Sequence, residues 1–540
     1  MSTKTKAKPA AKAKPPAKAK PTTKAAKAKT GKRPAVPAAD AKLAELKRRL
    51  LELSDLGAAG AVLGWDQATY MPKGGAAARG RQGATLGRLA HEKATDPALG
   101  RLLDALAPHG DSLPRDSDAA SLIRIARRDF ERAVKVPSDF VARCSEMGSA
   151  SYDAWTRARP ANDFATMRPF LEKAVDFSRE YAGFFAPYAH IADPLIDGPD
   201  EGMTTASVRK LFKELRAALV PIVRAIVAQQ PADDSCLRGN FPEQPQLDFG
   251  LGVAKRFGYD LDRGRLDKTH HPFCTKFGSG DVRITTRVNA NDISDALFST
   301  LHESGHAMYE QGVDPAYEGT SLGSGASAGV HESQSRLWEN VVGRSRGFWE
   351  HFYPALRQAF PGQFDKVPLE RFYRAVNKVA RSLIRTDADE VTYNLHVMLR
   401  FDFELDLLEG RLAVRDLPDA WRARFKADFG ITPPHDRDGV LQDVHWYGGG
   451  VGGSFQGYTI GNILSAQFHA AALKAHPEIP AEIGKGEFAT LHGWLRENLY
   501  RHGRKFSPDE LVMRATGGPM SIGPYIAYLR GKYGELYHLP

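Results

Sequence analysis

His302-Glu303-Ser304-Gly305-His306 is the stretch from which the rest of this chain is read. Two imidazoles four residues apart stand one turn above each other on a helix. Both can therefore ligate one divalent ion while the carboxylate between them faces water beside it. The flanking residues predict that helix. Asn291 and Asp292 supply an N-cap, Asp295 falls in the first turn, and Leu297, Phe298, Leu301 and Met308 keep helical spacing. Gly312 is placed to end it. The bare motif also fits a helix with two solvated histidines, but the amphipathic setting argues against that.

A catalytic ion needs a third protein ligand and a position left for water. The extended pattern H-E-x-x-H-x-x-G-x-x-H is excluded, because Tyr309 stands at its glycine and Gly312 at its last histidine. Glu310 continues the histidine stripe, yet it lies ~12 Å along the axis from His302, too far for one ion. Glu318, in a short loop near Pro315, is the weaker remaining candidate. Glu332 is the better one. It follows a Gly/Ser-rich connection (319–329) and opens a second helical pattern through Leu337, Trp338, Val341 and Val342. The alternative reading of Glu332 is a charge favoured by the helix dipole.

Further motifs occur in a fixed order around these residues. They are Trp65-Asp66-Gln67-Ala68-Thr69-Tyr70-Met71-Pro72, His271-Pro272-Phe273, Asp281-Val282-Arg283-Ile284-Thr285 and His331-Glu332-Ser333-Gln334. Ile384-Arg385-Thr386-Asp387-Ala388-Asp389 and Gly439-Val440-Leu441-Gln442-Asp443-Val444-His445-Trp446 complete the series. From about residue 40 to the C-terminus the chain resembles the carboxypeptidase Taq family of metallocarboxypeptidases. The resemblance implies a mainly α gluzincin with a deep active-site cleft, usually a homodimer, that removes C-terminal residues with broad specificity. It also implies Glu332 as the third ligand, and it places the Arg385 motif in the substrate-facing cleft.

Composition suits a large enzyme. The 540 residues, 42% hydrophobic, can bury an extensive core. No apolar run reaches the ~20 residues of a membrane helix, and the N-terminus lacks a signal-peptide core. Cys144, Cys236 and Cys274 are scattered and odd in number, which suggests neither a disulfide framework nor a cysteine metal site, and fits a reducing cytoplasm. The net charge of +10 divides unevenly. Residues 1–38 hold eleven lysines and Arg33; removing them leaves 62 cations against 64 acids, so the body carries about −2. This Lys/Ala/Pro-rich tail is expected to be disordered, either as an arm for nucleic acid or other polyanions or as a solubilising extension. The catalytic domain is expected over 39–540.

Periodicity predicts helices over 41–56, 86–106, 119–134, 164–188, 208–229 and 369–383, and a strand over 282–288 after the Gly278-Ser279-Gly280 turn. That strand, a small sheet beside the motif helix, offers either an edge for an extended peptide or a plain structural hairpin. A long helix over 383–408 would set Arg385, Asp389, Thr392 and His396 in a polar stripe beside an apolar one, as a cleft wall or as an internal salt-bridge network. An exopeptidase must hold a free carboxylate, which a guanidinium does bidentately. Arg385 is the first choice, Arg283 the reserve, and His271 a further substrate-side candidate. Gly448, Gly449, Gly450, Gly452 and Gly453 predict a mobile loop whose closure brings Tyr458 or His445 to the oxyanion.

The expected mechanism has Zn²⁺, with Co²⁺ or Mn²⁺ as substitutes, on His302, His306 and Glu332, with Glu303 as general base. Two alternatives share part of this pattern: a gluzincin oligopeptidase that cleaves internally, and a tail-driven nucleic-acid-binding protein with a structural metal. A structural site has no use for Glu303.

Overall fold

A computed structural model describes residues 38–539; residues 1–37, and with them nearly all of the basic tail, lie outside the described residues. Among the described residues helices dominate, and the sheet has three strands. The predicted helices are present with shifted ends. The first runs much further than expected, Ala38–Thr69. The 86–106 pattern is two helices, Ala76–Ala94 and Pro97–Ser112. Pro97 has no N–H to give to a continuing helix, and Asp96 caps a new one by accepting from Ala98 N. Leu369–Val376 stops well short of 383.

Among the described residues the buried apolar side chains form two clusters. The larger extends from Phe140 to Tyr537 and includes Leu297, Leu301 and Met308 of the motif helix. The smaller joins Leu46, Leu50, Leu99, Leu103 and Ile123 to Val313, Tyr317 and Leu322. A cleft of about 530 Å³ lies where they meet, lined by Leu50 and Ala58 on one side and by Cys274, Lys276, Glu310 and His331 on the other.

The sheet order is β1 (Leu266–Lys268), β3 (Asp281–Thr286), β2 (Cys274–Gly278), with β1 parallel and β2 antiparallel to β3. The predicted strand is therefore the central one, paired on both sides, and has no free edge. The edge toward the cleft belongs to β2. Val282 and Ile284 point into the core, while Arg283 alternates to the other face, as strand pleating requires.

The motif helix Ile293–Gly312 starts at Asp292, whose side chain accepts from Ser294 N. It crosses the helix Ala328–Arg336 closely, and Gly305 permits this: a Cβ there would sit 2.4 Å from the Gln334 carbonyl. Gly461, on the helix Gln456–Ala475, serves the same purpose, since its Cβ would meet Glu332 Cγ at 2.5 Å. Three helices thus converge on the metal-motif residues because two glycines allow backbone contact.

Candidate metal centre and substrate cleft

His302 and His306 lie on one face of the motif helix, ring centroids 5.0 Å apart. Glu332 Oε2 stands 3.8 Å from His302 Nε2 and 3.5 Å from His306 Nε2. Ligands held at tetrahedral angles ~2.1 Å from one ion are separated by ~3.4 Å. The donor set (two imidazole nitrogens and one carboxylate oxygen) and its spacing fit a divalent ion. Glu318 is elsewhere, accepting from Ser279 N, and is not a member of this cluster.

Each donor is held from behind. His302 Nδ1 meets Glu339 Oε2 at 2.9 Å. Glu339 lies in a π-helical turn, Leu337–Val342, and also pairs with Arg336 and Arg344. Arg336 donates to Glu332 Oε1 at 2.7 Å, leaving Oε2 toward the histidines. His306 Nδ1 lies 2.6 Å from His331 Nδ1, and His331 Nε2 lies 2.8 Å from Glu310 Oε1. If His306 ligates through Nε2, its Nδ1–H donates to His331, which then donates from Nε2 to Glu310. Glu310 is thus no ligand but the end of a relay, anchored by Lys276 of β2 at 3.0 Å. Such outer partners fix ring orientation and tautomer.

The electrostatics follow from burial. Glu303 is 6% exposed. Burial pushes its carboxyl up to about 7, against the pull of His302. Burial alone would raise Glu310 and Glu339 too, but His331 and Lys276 bring the first down to about 2, and His302 and Arg336 do the same for the second. Burial takes His306 down to about 4. His306 is thus held neutral and the supporting acids Glu310 and Glu339 charged, while Glu332 and Glu339 draw His302 upward against its burial and Glu303 is poised near neutrality.

Arg385 is 4% exposed. Its Nε and Nη2 clasp Asp443 at 3.0 and 2.8 Å, and Nη1 donates to the Tyr393 hydroxyl at 2.7 Å. The Arg336 guanidinium lies 4.5 Å from the centre of the same Tyr393 ring, linking this network to the metal side. Tyr458 stacks 5.0 Å from the Arg385 guanidinium, and its hydroxyl is 3.0 Å from His445 Nε2. Burial raises Tyr458, so it remains a hydroxyl donor.

Three expectations need correction. Arg385, Asp389 and Thr392 are not on a helix; the helix begins at Tyr393, and Arg385–Asp387 is a short 3₁₀ turn. The Asp389 carboxylate accepts from Val391 N and Thr392 N, a local alternative that displaces helical bonding. His396 is fully buried against Phe425 and Phe429 and forms no cleft wall. The glycine-rich segment is not a free loop: Val451 N donates to Ser178 Oγ at 2.8 Å, and Gly453, at φ 80°, packs against the Leu195 carbonyl.

Nor does the structure bring His271 and Arg283 to the cluster. His271 is exposed, and its Nδ1 meets the Pro272 carbonyl. Arg283 pairs with Asp281 at 2.7 Å and lies between the rings of Trp65 and Phe277, at 4.4 and 4.8 Å. Sequence reasoning missed Glu339, Arg336 and the role of His331. Glu339 had a signal: it stands two turns beyond Glu332, on the same helical face.

Comparison with known proteins agrees with this geometry. The carboxypeptidase Taq (M32) metallopeptidase family matches residues 45–533. Thermostable carboxypeptidase 1 of Thermus thermophilus is 42% identical over 93% of this chain and 99% of its own length. Carboxypeptidase 1 of Bacillus subtilis is 36% identical over 91% of this chain and 97% of its own. The crystal structure of the M32 carboxypeptidase from Deinococcus radiodurans superposes with a TM-score of 0.90 at 54% identity, over 93% of this chain and all of that one. The chain belongs to the carboxypeptidase Taq family. It is a metallocarboxypeptidase, with the divalent metal and peptide substrates which that class entails.

Proposed function

We propose that this chain trims peptides one residue at a time from a free C-terminus, with broad side-chain tolerance, and that His302, His306 and Glu332 hold Zn²⁺ for the purpose. The convergence of these three donor groups, all within 4.8 Å of one another, carries the reading. Bound there, the ion, or Co²⁺ or Mn²⁺ on the same donors, would acidify a water and polarise the scissile carbonyl. Glu303 takes the proton from that water and returns it to the leaving amine, a role suited to a carboxyl near 7. Tyr458, with His445 on its hydroxyl, donates to the developing oxyanion.

Arg385 fixes the substrate carboxylate. A guanidinium has five N–H groups. Asp443 and Tyr393 occupy three of them, leaving one on Nη1 and one on Nη2 for a second, bidentate partner. The test of the mechanism is Glu303→Gln in metal-replete enzyme. Metal content should be unchanged while hydrolysis falls at least ~100-fold; retained turnover removes Glu303 from the reaction.

The same reading takes the enzyme to be a cytoplasmic homodimer. Cys144, Cys236 and Cys274 are free thiols, and no helix among the described residues is long and apolar enough to cross a membrane. The basic tail acts as an arm for polyanions, so removing residues 1–38 should weaken salt-sensitive nucleic-acid binding and leave peptide hydrolysis intact.

A further inference from the structure

The C-terminal helix Gly523–Tyr537 carries a buried charge that takes no part in the proposed hydrolysis. Lys532 and Glu390 form an ion pair whose side chains are 7% and 3% exposed. Tyr533 donates to the same carboxylate at 2.7 Å, and the Tyr528 hydroxyl lies 2.9 Å from its other oxygen. Well-packed apolar residues would serve stability as well or better, because desolvating two charges cancels most of their attraction. What distinguishes the pair is where it sits.

On one side it grips the metal-orienting turn. Lys532 Nζ reaches the Asn340 carbonyl at 3.3 Å, and the Tyr528 hydroxyl approaches the same oxygen at 3.2 Å. Asn340 adjoins Glu339, which holds His302. On the other side, Glu390 belongs to the segment that carries Arg385 and follows Asp389, the acceptor for Val391 N and Ala380 N. Tyr525, also on the C-terminal helix, donates to the Glu390 carbonyl at 3.0 Å and accepts from Asn394 Nδ2 at 2.7 Å. Asn394 Oδ1 in turn accepts from Thr459, next to Tyr458, at 3.0 Å. The π turn departs from α-helical bonding, and residues 377–392 contain only one 3₁₀ turn. Two irregular segments that carry opposite halves of the site thus meet at one cation.

We infer that the Lys532–Glu390 pair is a positioning element that sets the register between Glu339 on the metal side and Arg385 and Tyr458 on the substrate side. The inference rests on the roles proposed above for those residues. Its test is the metal-replete double variant Lys532→Met/Glu390→Gln, which leaves no charge unpaired. Leu529→Ala, buried on the same helix, is the control for helix stability alone. Melting temperature, kcat and KM on an N-blocked peptide, and the visible spectrum of Co²⁺-substituted enzyme are read for each.

The double variant should melt close to the parent, yet lose kcat/KM about tenfold or more with an altered Co²⁺ spectrum, because small misplacements are costly at a reacting centre. Leu529→Ala should melt lower but, while folded, keep kcat/KM within about twofold. A double variant with the parent's kcat/KM and spectrum overturns the inference, as does an equal loss in Leu529→Ala. Should the double variant not fold, Glu390→Gln alone, which keeps an acceptor for Lys532, carries the same readouts. The clamp reading fails separately: there Arg385→Ala would leave the preference for free C-termini unchanged while the bridge variant still loses activity.

Discussion

Replacing Arg385 with alanine should convert a carboxypeptidase into an enzyme indifferent to the C-terminal charge. Arg385 is nearly buried and has two N–H groups to spare once Asp443 and Tyr393 are served. An amidated substrate leaves those donors without an anion, and losing one partner of such a buried pair costs ~2–5 kcal/mol. Even the lower figure corresponds to ~30-fold in kcat/KM. The fold should survive, because Asp443 retains Arg400 Nε at 2.6 Å. The assay follows release of the last residue from N-blocked peptides and from their amides. The parent should prefer the free acid by at least ~30-fold, and Arg385→Ala should erase most of that by slowing the acid alone. An unchanged ratio in Arg385→Ala would refute the clamp. Comparable internal cleavage of amides by the parent would favour the oligopeptidase instead.

Arg283→Ala should leave the acid-to-amide ratio alone, since its guanidinium is taken by Asp281, Trp65 and Phe277; a collapsed ratio would move the clamp there. Glu339→Gln should weaken metal binding about tenfold in chelator competition, the lower end expected for an outer partner of a ligating histidine, and an unchanged affinity would remove Glu339 from that role. Glu404 is buried beneath Trp446, and burial raises it to about 7. Between its unfolded value and about 7 the folded state binds the extra proton, so stability falls as pH rises through that window. Glu404→Gln should therefore raise the unfolding free energy by at most about 3 kcal/mol at pH ~8 and much less at pH ~5; equal gains at both would contradict the assignment.

The grouping of His302, His306 and Glu332 was legible because its logic is local. Four-residue spacing fixes His302 and His306 on one helical face, and the length of a turn rules out Glu310. Glu332 was legible from its position at the start of the next helix. What surrounds the triad was not. The relay from His306 through His331 to Glu310 depends on how closely two helices cross, which Gly305 sets and no periodicity reveals. The helix over 383–408 was misjudged because apolar spacing continues through a stretch where the Asp389 side chain, not the backbone ladder, takes the N–H groups. The glycine run is a loop, as read, but a packed one, because glycine permits tight packing and freedom equally. The substrate side and the supports behind the triad therefore needed the tertiary structure, whereas the grouping of His302, His306 and Glu332 needed only spacing.

The central claim is that one ion sits on His302, His306 and Glu332, and metal analysis of two purified variants tests it most directly. Glu318→Ala should retain the parent's stoichiometry and activity, since Glu318 accepts from Ser279 N and stands outside the donor cluster. Glu332→Ala should lose both the metal and nearly all hydrolysis. A metal-replete Glu332→Ala protein, or metal loss in Glu318→Ala, would contradict the assignment.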